Sequence, residues 1–183
     1  MHSTLSGAAR PLTMVAMVLT THAVSGAVIG VVLRRHPVLA AVVVVASHFA
    51  LDAVPHWGYP LRSVRRDRRD PGRDYMTFGR EFLRDLVAIG FDAILGVLLS
   101  IAIALAFGSS NGGAIIGIFG SLLAMFPDAL QLVHYAFPRS PFRHFQRFHR
   151  LMHATTDIRG LGAGLAQQLA VIAVFLLLGS YFR

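Results

Sequence analysis

The chain has 183 residues, of which 55% are hydrophobic and 14% are charged, whereas soluble domains average roughly 25% charged residues. This composition excludes an ordinary soluble domain and predicts an all-α, polytopic membrane protein, long enough for about five spans of roughly 20 residues each. Cysteine is absent, which excludes thiolate metal sites. The net charge of +8, in so apolar a chain, indicates contact with membrane lipids and not with nucleic acid.

Five apolar segments predict the transmembrane helices of a single domain. The first two form a hairpin around a short turn at residues 34–36, and a turn rich in Gly and Ser joins the third to the fourth. A polar loop, residues 62–80, separates the second from the third, and we expect it in the cytoplasm. The five predicted spans are Leu12–Leu33, Pro37–Pro55, Phe82–Phe107, Gly113–Phe137 and Gly160–Phe182.

A sixth helix is predicted to lie on the membrane surface, over Ser140–Thr155. Ser140 is a good helix cap, and a proline suits the first turn that follows it. On a helical wheel, the phenylalanines of this segment share one face with His149 and His153, so the helix is amphipathic. The other face carries the residues that we expect to bind phosphate head groups, namely Arg143, Arg147 and Arg150.

Ionisable side chains gather in the predicted cytoplasmic halves of the spans, although each costs about 2.5–3.5 kcal/mol in a bilayer. His48 and Asp52 share a helix face because they are four residues apart. Asp128 in the fourth span is expected at a similar depth. Imidazole and carboxylate ligands suit Zn best, and also Mn or Fe. The predicted metal ligands are His22, His48, Asp52, Asp128, His149 and His153, with Asp92 as the catalytic general base.

Other interpretations of these residues stay open. The same side chains would also fit a bundle held by His–Asp hydrogen bonds without metal. His56, which stands beside Trp57 and Tyr59, is interpreted as an interfacial anchor.

The motifs around these residues resemble those of the membrane-bound metal-dependent hydrolases regulated by LexA. The resemblance covers about thirty residues, and the motifs stand here in a different order. It implies a bacterial inner-membrane protein with a hydrolytic metal site. The second Asp of the family's Pro-Asp-x-Asp motif is Leu130 here. The motifs are Thr21-His22 with Ser25-Gly26, Ser47-His48-x3-Asp52-x2-Pro55, Phe126-Pro127-Asp128 and His149-Arg150-x2-His153.

The first functional hypothesis is a membrane-embedded, metal-dependent hydrolase that acts on a lipid or another amphiphile, one that bears phosphate, near the cytoplasmic leaflet. The alternative is a non-catalytic small subunit of a larger membrane complex, whose buried histidines bind haem, a chlorin or neighbouring helices. A homo-oligomer also fits. An ion or proton transporter is a third hypothesis, but it would need polar residues across the whole membrane, and the outer halves of the spans lack them.

The distribution of arginine predicts the membrane topology. Alternating spans place 14 arginines on the side of the N-terminus and three on the other side, Arg34, Arg35 and Arg183, so the N-terminus should be cytoplasmic and the C-terminus outside. A reporter that is active only in the cytoplasm should work when fused at Pro71 and be silent at Ser110 and Arg183. The opposite pattern would overturn the assignment.

Overall fold

The computed structural model describes residues 18–182 except Tyr59, 109–110, 155–157 and Arg159. The predicted start of span one (residues 12–17), Tyr59 and the end of the surface helix at Thr155 lie outside the described residues. Six α-helices are present in the described part. They are α1 (Leu19–Val32), α2 (Pro37–Ala53), α3 (Arg80–Phe107), α4 (Asn111–Ala136), α5 (Phe142–Met152) and α6 (Leu161–Tyr181).

The structure is mostly helical, and three helices, α3, α4 and α6, are long and apolar enough to cross a membrane. Val87, Phe91 and Leu98 on the outer face of α3 are 72%, 71% and 60% exposed, as expected of side chains that face lipid. The other two apolar helices are shorter. At 1.5 Å per residue, α1 and α2 reach about 21 Å and 26 Å, less than the roughly 30 Å of hydrocarbon, so five full spans are not confirmed.

Helix α1 lies at the centre of the bundle, in contact with α2, α3, α4 and α6. Twelve of its 14 residues are buried, and many are small, which lets the neighbouring backbones come close. A Cβ atom at Gly26 would meet the backbone of Gly120 in α4, and one at Gly120 would meet the backbone of Gly26. Because these two glycines permit the α1–α4 contact, they set the distance across which side chains from both helices meet.

Helix α2 presents one buried stripe to this centre, made of Ala40, Val44, His48 and Asp52. The spacing of four residues places all four on one face of the helix. Pro37 occupies the first turn, where its missing N–H costs nothing. The helix ends at Ala53, two residues before the predicted end, and residues 54–58 continue without regular structure.

A small cap covers one end of the bundle. It consists of residues 61–78, which include the two-stranded sheet of β1 (Val64–Arg65) and β2 (Tyr75–Met76), together with α5. Val64 and Met76 pack on the buried ring of Tyr135 at the end of α4. The cap is also fastened to α3, because the backbone N–H and the hydroxyl of Ser63 both donate to Asp85 at 2.7 Å. The predicted polar loop is therefore ordered, and it holds α5 in place.

The glycine contact between α1 and α4 can be tested by substitution. Gly26→Ala should lower the free energy of unfolding by about 1–3 kcal/mol, the usual cost of overpacking a tight core. Gly90→Ala in α3 is the matched control, because a Cβ atom there meets nothing within 4 Å. In a helix the added methyl should raise stability by up to about 1 kcal/mol. Thermal unfolding in detergent measures both, and equal effects would contradict the close contact.

Candidate metal centre

The Asp52 carboxylate is the centre of a cluster of His and Asp side chains buried between the helices of the bundle. The residue is 1% exposed, and its two oxygens face different histidines. Nε2 of His22, on α1, lies 3.2 Å from Oδ1. Nε2 of His48, one turn before Asp52 on α2, lies 3.3 Å from Oδ2. Imidazoles from two helices therefore surround one carboxylate that water does not reach.

Helices α4 and α5 complete the cluster with Asp128 and His149. Nε2 of His149 lies 3.5 Å from Oδ2 of Asp52 and 3.5 Å from Oδ1 of Asp128. The same nitrogen is 3.3 Å from Nε2 of His48. His149 is fully buried because the cap lays α5 across the end of the bundle. Three elements that are distant in sequence thus bring four potential ligands together, as the sequence predicts for His48, Asp52, Asp128 and His149.

The two histidine rings of this group are held by hydrogen bonds at the opposite nitrogen. Nδ1 of His48 donates to the carbonyl oxygen of Ala124 at 2.8 Å, which leaves a lone pair on Nε2. The side-chain NH₂ group of the buried Gln131 donates to Nδ1 of His149 at 3.2 Å, which places the proton of the neutral ring on Nε2. Nε2 of His149 becomes a ligand atom only when the Gln131 amide turns so that its oxygen accepts from Nδ1. The backbone-carbonyl partner of His48 is the kind that orients metal-binding histidines in proteins. Neither partner is assigned from the sequence, because a backbone carbonyl and an amide leave no signal there.

The four residues His48, Asp52, Asp128 and His149 offer ligand atoms that lie within 4.8 Å of one another, so this group could hold a metal ion. A second group of the same kind consists of Asp52, His56 and His153. Asp52 belongs to both groups. All of the predicted metal ligands except His22 are therefore found in one group or the other.

His56 and His153 both lie just beyond a helix end. His56 follows α2 and is fully buried, and its ring centroid is 4.8 Å from that of His153. The anchor interpretation of His56 is therefore wrong: the ring points into the fold and not to the membrane surface. Burial lowers the pKa of His153 to about 4, because desolvation disfavours the charged imidazolium. The His153 ring is thus available as a neutral ligand.

Two predicted site residues have other roles. His22 lies outside both ligand groups of the described residues; it contacts Asp52 and stacks on His48 with ring centroids 4.2 Å apart, so it orients the carboxylate. Asp92 binds the start of α1, where its oxygens accept from the backbone N–H groups of Leu19 at 2.6 Å and Thr20 at 3.3 Å. A carboxylate suits the positive end of a helix dipole. Asp92 is therefore a helix cap, and we do not retain it as general base.

The three predicted head-group arginines take part in the cap. Arg147 forms a two-pronged salt bridge with Asp70, with both N–O distances 2.8 Å, and this contact lowers the pKa of Asp70. Arg143 is exposed and donates to the carbonyl of Pro138 at 3.0 Å. Arg150 is half-buried and lies close enough to Asp74 to stabilise its charge. Arg147 in particular therefore stabilises the cap. The binding of phosphate head groups by these arginines stays a prediction.

An apolar cavity of about 340 Å³ adjoins the cluster. Helices α1, α3 and α4 form its walls. Asp128 and Gln131 are its polar lining residues next to the histidines, and Asp128 is 13% exposed at its side chain. The apolar lining residues include Leu19, Ile89, Ala93, Leu122 and Leu132.

Comparisons with protein-family models, with curated proteins and with solved structures find no match to this chain. The site must therefore be interpreted from its own geometry.

Proposed function

We propose that this protein is a membrane-embedded, metal-dependent hydrolase. The observation that carries the proposal is the spacing of the four ligand atoms. In a tetrahedral site with metal–ligand bonds of about 2.0–2.1 Å, neighbouring ligand atoms stand about 3.3 Å apart. Four of the six separations among His48, Asp52, Asp128 and His149 are 3.3, 3.3, 3.5 and 3.5 Å, and ligand atoms of all four residues lie within 4.8 Å of one another. Four atoms on this spacing from three elements favour a single bound ion.

The donor set indicates which ion would bind. Two imidazole nitrogens and two carboxylate oxygens suit Zn²⁺ best among common metals, and Mn²⁺ or Fe²⁺ also fit. The charges balance as well, because Asp52 and Asp128 supply two negative charges against the two positive charges of the ion. Without a cation, two carboxylates would share a dry site, which is unfavourable. We propose Zn²⁺ as the resident ion.

The geometry favours a small cation over the alternative of a haem or a chlorin. A pigment needs an imidazole nitrogen that faces an open, apolar slot. Here the Nε2 atoms of His48 and His149 face each other and Asp52 at 3.3–3.5 Å, which leaves no space for a macrocycle. The role of a non-catalytic subunit has no observation in its favour among the described residues.

Asp128 is the residue that we propose to handle the proton. With Asp128 turned from the ion to a water molecule, an ion held by His48, Asp52 and His149 would keep its fourth position for that water, lower the pKa of the water toward 7 and so supply a nucleophile at neutral pH. Asp128 has one oxygen toward His149, whereas its Oδ2 is buried without a hydrogen-bond partner in the structure. Of the four ligands it alone lines the apolar cavity. Its Oδ2 can therefore accept a proton from water at the boundary between the ligands and a substrate.

The cavity suggests the substrate class. Its volume of about 340 Å³ lies in the range of ligand-binding pockets, roughly 300–1,000 Å³. Its walls are almost wholly apolar, and its polar end is Asp128, next to the ligands. An amphiphile would place a hydrocarbon chain in the cavity and its polar ester at the centre. We propose a lipid or prenyl phosphate as the substrate, because arginine side chains near the site can pair with phosphate.

We also propose a location in the bacterial inner membrane with the N-terminus in the cytoplasm. The arginine distribution supports this orientation. The cap carries most of the arginines near the cluster, among them Arg66, Arg147 and Arg150. In this orientation the centre would lie near the cytoplasmic leaflet, where phosphate-bearing lipids are within reach.

The metal is tested by the substitution Asp52→Asn, which keeps the shape of the side chain and removes its charge. The purified variant should lose its metal, as measured by elemental mass spectrometry. It should also lose the stabilisation that a bound ligand gives, about 2.7 kcal/mol when the free metal is at 100 times its Kd. Asp85→Asn is the control, because Asp85 is buried but binds Ser63 instead of the cluster; it should keep the metal.

The opposite outcome is equally clear. In a bundle held only by His–Asp hydrogen bonds, the wild type would contain no metal and added Zn²⁺ would not raise its Tm. Asp52→Asn would then leave the Tm unchanged or raise it, because a neutral amide replaces a buried carboxyl.

The substrate class is tested with phosphate esters that differ in chain length. The metal-loaded protein should release phosphate or head group from long-chain esters, with a KM that rises at least tenfold for short, water-soluble ones. Ala93→Phe places a ring into the cavity and should raise the KM for the long-chain ester without loss of metal. Ala102→Phe, on the exposed face of the same helix, is the control. No release of phosphate or head group with any metal, or equal use of short and long esters, would contradict the proposal.

A further inference from the structure

The second ligand group lies directly beside the first and shares Asp52 with it. A carboxylate has two oxygens with about four lone-pair positions, so one Asp can bind two ions. The ligand atoms of Asp52, His56 and His153 lie within 4.8 Å of one another, as those of the first group do. The two histidines are not needed for the first site, which already has four ligands.

In both extra histidines Nδ1 faces a backbone carbonyl oxygen, as it does in His48 of the first group. Nδ1 of His56 donates to the carbonyl oxygen of Val54 at 2.7 Å. Nδ1 of His153 faces the carbonyl oxygen of Ala154 at 3.4 Å. In both rings this leaves Nε2 as the nitrogen with the lone pair, which is the usual state of a histidine ligand. His48, His56 and His153 thus all have Nδ1 against a backbone carbonyl oxygen, which makes Nε2 the ligand atom.

Backbone hydrogen bonds fix the two extra histidines relative to Asp52. The N–H of Ala154 donates to the carbonyl oxygen of Asp52 at 2.8 Å, and the N–H of Ile158 donates to that of His56 at 3.1 Å. Ala154 and Ile158 therefore each lie against the segment that carries Asp52 and His56, and Ala154 directly follows His153.

We propose that Asp52, His56 and His153 bind a second divalent cation, so that Asp52 bridges a two-metal centre. This inference rests on the first metal site of the proposed function and deepens it. Three protein ligands leave coordination positions open, as catalytic metal sites require. The second ion could therefore bind a substrate oxygen, while Asp128 of the first group lines the cavity that takes the chain of the substrate.

The second ion changes the charge of the centre and thereby selects the substrate. One divalent ion between Asp52 and Asp128 gives a net charge of zero. A second ion raises the net charge to +2, because His56 and His153 are neutral ligands. A buried centre with this charge attracts a phosphate group. Paired ions also stabilise both the attacking and the leaving oxygen of a phosphoryl displacement, so the inferred substrate class is a phosphate ester of an amphiphile.

The test counts ions in the full-length protein in detergent. The protein is stripped with a chelator and reloaded with Mn²⁺, which elemental mass spectrometry counts and electron paramagnetic resonance detects. The wild type should bind two Mn²⁺ per chain with the spectrum of a coupled pair. His56→Ala and His153→Ala should each bind one, with the spectrum of an isolated ion. His144→Ala, an exposed histidine on α5, should still bind two.

The outcomes separate the two proposals. The second site would be overturned, and the first left intact, by the following result. The wild type binds one ion, His56→Ala still binds it, and His149→Ala loses it. Two ions retained in both His56→Ala and His153→Ala would also overturn the second site. No ion in the wild type would overturn the proposed function itself. Circular dichroism and gel filtration check that the variants are folded. If a variant is unfolded, the number of Mn²⁺ ions per wild-type chain still distinguishes one site from two.

Discussion

The Asp52 carboxylate is buried among apolar helices, and burying its negative charge costs free energy. The arrangement of the surrounding helices brings histidines to the carboxylate that offset this cost. An isolated charge moved from water into a protein interior costs several kcal/mol. Here His22 and His48 approach its two oxygens, and His149 adds a third imidazole from α5. Three elements must therefore converge on one point, and each is held there by contacts of its own.

Those contacts explain features that otherwise look unrelated. Helix α1 can sit at the centre because Gly26 and Gly120 let it approach α4. Its first turn lies against α3, where Asp92 binds the backbone N–H groups of Leu19 and Thr20. The cap keeps α5 across the end of the bundle through the salt bridge of Arg147 with Asp70. The polar residues outside the cluster thus set the positions of the helices that carry it.

The sequence predicts the part of this arrangement that depends on local periodicity. His48 and Asp52 share a face because a helix repeats every 3.6 residues, and the lengths of α3, α4 and α6 follow from their apolar runs. The sequence does not predict the roles of residues whose contacts come from segments that are distant along the chain. The role of Asp92 is set by where α1 begins beside α3. His56 lies beyond the end of α2, so helical periodicity does not describe it.

The same limit applies to the cap. The salt bridge of Arg147 joins residues 77 positions apart, and no spacing rule connects them. The amphipathic pattern of α5 predicts the helix and the burial of His149, but Phe148 and Met152 of the same predicted face are exposed and the polar Gln146 is buried. The acidic partner of Arg147 is not visible in the local sequence. The ring partners of His48 and His149 are a carbonyl and an amide, which occur everywhere and therefore carry no signal.

The position of α5 in the chain has a consequence for how the protein is made. His149 follows His48 by 101 residues, and Asp52 and Asp128 both precede it. During synthesis from the N-terminus, the two acidic residues enter the membrane before the histidine that joins them has left the ribosome. The bundle is then incomplete in its most polar region, and α5 and the segment after it close that region last. The centre therefore cannot assemble before α5 has been synthesised and has docked on the bundle.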